Sequence, residues 1–191
     1  MKRQILLTLL LAFSYGAFAC TNLIVGKKAS ADGSVMCTYN CDGFGFASSL
    51  GYFAPGMHAP GEMVAIRNWG GGEVHYIPQA PYTYNVAGLM NEKQVSIVET
   101  TWGGRKELRN KEGWLDYFSL MNLALQRSAS AREAIAVMHS LAQEYGYNET
   151  GESFAVCDKD EAWIMELVGK GEGRKGAVWV ALRLPYDCIS A

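Results

Sequence analysis

Cys20 is the residue around which a reaction can be built. It directly follows Ala17-Phe18-Ala19, a small-x-small site for leader cleavage, and residues 1–19 read as a secretory signal peptide: Lys2 and Arg3, then the apolar run Ile5 to Phe13. Removal of residues 1–19 as a signal peptide would make Cys20 the first residue of the mature chain. It would then carry a thiol and, on the same residue, an α-amine able to take the thiol proton. With a reference pKa of about 7.7–8.0, that amine is a base poised near ambient pH, so no histidine is required. A cysteine just after a leader is also where lipoproteins are acylated. The usual lipobox has a branched aliphatic residue three positions earlier, and here that residue is Ala17. At the junction itself, nucleophile, lipid anchor and plain structural cysteine all stay open.

The other cysteines bear on that choice. Cys20, Cys37, Cys41, Cys157 and Cys188 make an odd set, so an oxidising compartment leaves at least one thiol unpaired. The Cys37-x3-Cys41 spacing has no second pair and the three histidines are scattered, which does not suit a zinc site; no metal and no cofactor are expected. A formal net charge of −2 gives no electrostatic case for nucleic acid or an anionic membrane surface. The leader run falls short of the roughly 20 apolar residues of a membrane span, and no second such run follows it. The expected address is periplasmic, extracellular or outer-surface. A chain of 191 residues with 49% apolar content can bury one core and reads as one domain over residues 20–191.

The elements that must position Cys20 read as strands, a helical pair, then strands. Asn22–Gly26 and Ser34–Asn40, joined through the turn dipeptide Asp32-Gly33, predict a β-hairpin over 21–46 that returns Asn40 and Asp42 toward Cys20. Residues 43–62, rich in Gly, Pro and aromatics, read as a long ordered loop, and a short extended segment begins at Glu73. Residues 84–101 suit a second hairpin turning at Asn91–Lys93. Apolar spacing predicts a helix from Trp114 to Arg127. Another begins at Ser130, with Ser130 and Glu133 as a capping box, and stops at Gly146. His139 on that helix reads as packed or surface rather than catalytic. Ser153–Cys157 with Ala162–Leu167 forms a third hairpin, and Ala177–Arg183 a further strand. This order predicts an α+β layered fold of antiparallel sheets and helices.

Three ordered motifs carry a family resemblance. Cys20-Thr21-Asn22-Leu23-Ile24-Val25-Gly26 with Ala31-Asp32-Gly33-Ser34 opens the series. Gly88-Leu89-Met90-Asn91-Glu92 with Glu99-Thr100-Thr101-Trp102-Gly103-Gly104-Arg105 follows, and Gly151-Glu152-Ser153-Phe154 with Glu161 to Glu166 closes it. Together they resemble the dipeptidase A-type cysteine peptidases, a family of the N-terminal nucleophile hydrolases, over nearly all of residues 20–191. The resemblance implies a four-layer αββα sandwich and hydrolysis of an amide bond. It implies Cys20 as nucleophile, Asp42 as the acid that orients the N-terminal amine, and Thr101 at the oxyanion hole. Asn91 reads as a turn former.

Two departures qualify the match. Many members carry arginine where this sequence has Tyr39, and that arginine favours the thiolate, which a neutral tyrosine cannot do by charge. Arg183–Ala191 resembles the stretch just before an asparagine that donates to the oxyanion in members, so the sequence is expected to be the N-terminal portion of a longer enzyme. Loss of one such donor costs about 10²–10³ in rate. The function expected is a cysteine-type dipeptidase. Its alternatives are an amidase of another linear amide, of bile-salt or acyl-amine type, and a surface lipoprotein with a binding role. The partner expected is a dipeptide or small amide substrate, and self-association into a homo-oligomer stays open.

Overall fold

Period-two alternation sorts the side chains of residues 96–98 and 154–157 onto opposite faces. Ile97, Phe154 and Val156 fall on one side, and Val98, Ala155 and Cys157 on the other. Each side is covered by a different layer, and this determines the architecture.

The computed structural model describes residues 20–41 and 50–191. Residues 1–19, read from sequence as a leader, Asp42 and the first part of the 43–62 segment lie outside the described residues. Along the chain come β1 (Thr21–Val25), β2 (Met36–Asn40), β3 (Tyr52–Phe53), β4 (Gly56–Met57) and β5 (Met63–Ala65). Next are β6 (Tyr76–Pro78), β7 (Tyr82–Thr83), β8 (Val86–Ala87), β9 (Met90–Asn91) and β10 (Ser96–Thr101). Two helices, α1 (Tyr117–Arg127) and α2 (Ala131–Tyr145), precede β11 (Gly151–Cys157), β12 (Ala162–Gly169), β13 (Ala177–Arg183) and β14 (Ile189–Ser190).

The large sheet has seven antiparallel strands in the order β13-β12-β11-β10-β9-β8-β3. On its Phe154 side lie the two helices, which bury Leu120, Leu125 and Met138 completely. On its Ala155 side lies a small sheet, β14-β1-β2, which contributes Ile24, Cys37 and Tyr39 to the shared apolar layer. Two short ribbons, β4-β7 and β5-β6, complete the described strands. The fold is thus α+β, with helices, large sheet and small sheet stacked in three layers. The outer helical layer of a four-layer αββα arrangement is not among the described residues, and the outer face of the small sheet leaves Leu23, Met36 and Ile189 exposed. No helix among the described residues is long and apolar enough to cross a membrane.

Several local readings change. Helix α1 starts at Tyr117 rather than Trp114, because the Asp116 carboxylate accepts from the Ser119 amide at 2.8 Å and the Ser119 hydroxyl accepts from the Asp116 amide, which fixes the cap there. Ser130 caps α2 as expected, accepting from the Glu133 amide, but Glu133 reaches past it to the Ala129 amide at 2.7 Å. Residues 84–101 form a three-strand meander rather than one hairpin. Gly88, at φ 59°, makes the extra turn between β8 and β9. The 43–62 segment contains β3 and β4, which pair with β8 and β7. His139 packs as expected, accepting from the Trp179 indole at 2.8 Å.

Gly26 locks the small sheet to the C-terminal segment. Its amide donates to the Cys188 carbonyl at 2.9 Å, and an added Cβ would stand 2.5 Å from the Tyr186 carbonyl oxygen. Gly26→Ala is therefore expected to cost about 1–3 kcal/mol through overpacking, measured by urea unfolding. Gly51→Ala, where nothing lies within 4 Å of the added carbon, serves as the near-neutral control. Equal midpoints for the two variants would contradict this packing.

Candidate active site

The antiparallel register of β1 and β2 sets Asn22 opposite Tyr39 and Thr21 opposite Asn40. Alternation then turns Asn22 and Tyr39 inward, toward β10, and Cys20 follows on the same face, half-buried. Asn22 donates from Nδ2 to the Glu99 carbonyl at 3.1 Å and to the Thr100 hydroxyl at 2.8 Å. The Tyr39 hydroxyl donates to Glu99 Oε1 at 2.5 Å. Three hydrogen bonds thus fasten the hairpin that follows Cys20 to one end of β10.

The electrostatics of this corner are acidic. Burial, then the bond to Glu99, push the Tyr39 phenol far above its ordinary value, with the Cys20 and Cys41 thiols also within reach. Glu99 and Glu152 are both buried, at 3% and 0% exposure, and their carboxyl groups come together around the Thr101 hydroxyl. Burial and that contact raise the Glu152 carboxyl to about 9. Thr101 bridges the two, its hydroxyl 3.1 Å from Glu152 Oε2 and 3.4 Å from Glu99 Oε2. Tyr117, raised first by burial, faces both carboxylates from the α1 terminus, and Tyr147, also raised first by burial, faces Glu152 from the segment before β11.

Of the residues named from sequence, Cys20 and Thr101 flank this acid pair, Thr101 at the pair and Cys20 across Tyr39. Asp42 lies outside the described residues. Asn91 is structural: it donates to the Leu125 and Ser128 carbonyls and accepts from the Lys93 and Val95 amides. Neither Glu99 nor Glu152 is singled out by the sequence reading, although a carboxylate inside an otherwise apolar, β-branched strand is itself a signal. Cys37, Cys41, Cys157 and Cys188 are thiols, not disulfides. Cys37 and Cys157 meet between the sheets, with Cys37 Sγ 3.2 Å from the Ser96 hydroxyl. Among the described residues no three His, Cys, Asp or Glu side chains converge as a metal centre requires. A cleft of about 660 Å³ opens beside Gly103 and Gly104 between Lys106, Arg109 and Glu149.

The acid pair has a measurable signature. A carboxyl raised in the folded state favours folding fully below its unfolded value, and the benefit fades as pH climbs from 4.5 through about 9. Glu152→Gln replaces the neutral acid with a neutral isostere that does not titrate. Thermal midpoints are expected to fall with rising pH more steeply in the native protein than in the variant across this window. Parallel curves would mean that Glu152 holds no proton there.

The sequence matches the model of Peptidase family C69 over residues 19–53 and 58–191. It is 30% identical to a probable dipeptidase of Latilactobacillus sakei, over 90% of this chain and 38% of that protein. It is 28% identical to a probable dipeptidase of Salmonella dublin, over 98% of this chain and 45% of the relative. The probable dipeptidase B of Lactococcus lactis is 28% identical over 88% of this chain and 37% of its own length. The chain spans less than half the length of these curated relatives. A match that begins at the Ala19-Cys20 junction and takes in both sheets and both helices places the chain in one family: it belongs to peptidase family C69.

Proposed function

We propose that Cys20, made the first residue by leader removal after Ala19, is the nucleophile of an exported cysteine-type dipeptidase. The observation that carries this reading is the placement of Cys20, Asn22 and Tyr39 on one inner face, fastened to the Glu99–Thr101 end of β10. The dipeptidase names of the relatives support the substrate class. On this reading the three observed layers form part of the αββα sandwich of N-terminal nucleophile hydrolases.

The chemistry proceeds in two steps. The Cys20 α-amine takes the thiol proton, and the thiolate sulfur attacks the scissile carbonyl carbon. The tetrahedral intermediate collapses as the C–N bond breaks, and the α-ammonium returns its proton to the departing amine. A thioester remains on Cys20. Water, deprotonated by the same amine, adds to the thioester carbonyl; the C–S bond breaks, the α-ammonium returns its proton to the Cys20 sulfur, and the carboxylic acid leaves. Asp42 orients the amine in this scheme, and Thr101 lines the oxyanion side. Because the Thr101 hydroxyl lies against the acid pair, its contribution to the oxyanion comes from backbone rather than side chain.

Tyr39 makes the activation unlike that of members with arginine. Its single hydroxyl proton is committed to Glu99, so it brings no positive charge to the thiolate. The burden of activation falls on the amine.

Cys20→Ala is expected to reduce dipeptide hydrolysis by more than about 10³-fold, measured with the mature protein on a panel of unblocked dipeptides. Undiminished hydrolysis would require another nucleophile. Faster turnover of N-acylated or bile-acid amides than of dipeptides would move the assignment to the amidase alternative.

A further inference from the structure

The hydrolytic scheme leaves the buried acid pair without a role, yet the pair is the most unusual feature around Cys20. Glu99 accepts from Tyr39 at 2.5 Å, and its carboxyl group also meets that of Glu152. Two ionised carboxylates have no hydrogen to share, so their contact needs one proton between them. The orphaned atom points to its place. Glu152 Oε1 is buried and no donor reaches it among the described residues, a deficit that costs about 1–3 kcal/mol when unmet. A proton on the Glu152 carboxyl, donated to Glu99, removes that deficit and leaves one negative charge centred on Glu99.

Among the described residues no Lys, Arg or His forms an ion pair with either carboxylate. The groups facing the pair are Tyr39 and, beyond it, Cys41 from the β2 side, Thr101 from β10, Tyr117 from the start of α1, and Tyr147 and Glu149 from the segment before β11. All are acids, thiols or hydroxyls. Arg109 engages the outermost of them, Glu149, at 3.4 Å on the surface. Tyr39 stands between this charge and Cys20. With its proton given to Glu99, the phenol oxygen offers only lone pairs to Cys41, whose thiol reaches it, and to Cys20 beyond.

We propose that Tyr39, Glu99 and Glu152 form a positioning unit for Cys20. The pair holds one proton and one negative charge behind the phenol, and the phenol oxygen accepts from the protonated thiol or amine of Cys20. The unit therefore keeps the proton on the Cys20 side until a substrate carbonyl draws the sulfur forward. It rests on the reading of Cys20 as the nucleophile only for its catalytic meaning; the electrostatic claim can be tested without turnover.

The test is the pH midpoint of Cys20 alkylation by iodoacetamide, followed by peptide mass spectrometry on the full chain. Glu99→Gln removes the charge and is expected to lower the midpoint by about one pH unit. Glu152→Gln, an isostere of the protonated acid, is expected to leave it in place. Tyr39→Phe removes the acceptor oxygen and is expected to lower it as well, which provides a second measurement should Glu99→Gln fail to fold. The proposal is overturned if Glu99→Gln and Tyr39→Phe leave the midpoint where it is, or if Glu152→Gln moves it as far as they do. The same peptide masses report the N-terminus, so a retained leader or a lipid would count against the nucleophile reading while the midpoints still judge the positioning unit.

Discussion

The hydrogen bond from Tyr39 to the buried carboxylate of Glu99 is the interaction on which the candidate site depends. It joins the small sheet to the large one across their interface, and Asn22 repeats the connection two residues from Cys20. A buried charged acceptor with its donor removed costs more than a neutral one, so the two sheets are held at one spacing and one register. Cys20 inherits its position from that arrangement.

The same alternation that builds the core delivers the chemistry. Along β10 and β11, one face supplies Ile97, Phe154 and Val156 to the helices, and the other supplies Val98, Ala155 and Cys157 to the small sheet. At the far end of these strands the apolar pattern gives way to Glu99, Thr101 and Glu152. A slip of one residue between β10 and β11 would move all of these side chains to the wrong face. The register that excludes water from the core is thus also the register that brings the acid pair together, with Thr101 opposite Glu152. Stability and site geometry are specified by a single set of ladder bonds.

Much of this was legible in the residues. The hairpin through Asp32-Gly33, the Ser130 cap, the strand Ala177–Arg183 and the packed His139 all follow from local rules, because each is decided by neighbours within a few positions. What escaped was decided at long range. The β8-β9 turn depends on a glycine at positive φ and on Asn91 reaching carbonyls at the end of α1, some 34 residues away. Short strands β3 and β4 exist only because β8 and β7 are there to pair with them. The meeting of Glu99 with Glu152 spans the whole helical pair, so nothing in either strand alone announces a shared proton. Tyr39 was visible as a departure from the family pattern, but its bond to Glu99, which explains what the residue does instead, required the packed sheets.

The central claim is that Cys20 begins the mature chain with its amine and thiol unmodified. Intact and peptide mass spectrometry of the protein recovered after export tests this most directly. The account predicts an N-terminal peptide starting at Cys20 with the mass of the unmodified residue, alkylatable once at its thiol. A diacylglyceryl or acyl mass on Cys20, or a mature chain that starts elsewhere, would contradict it.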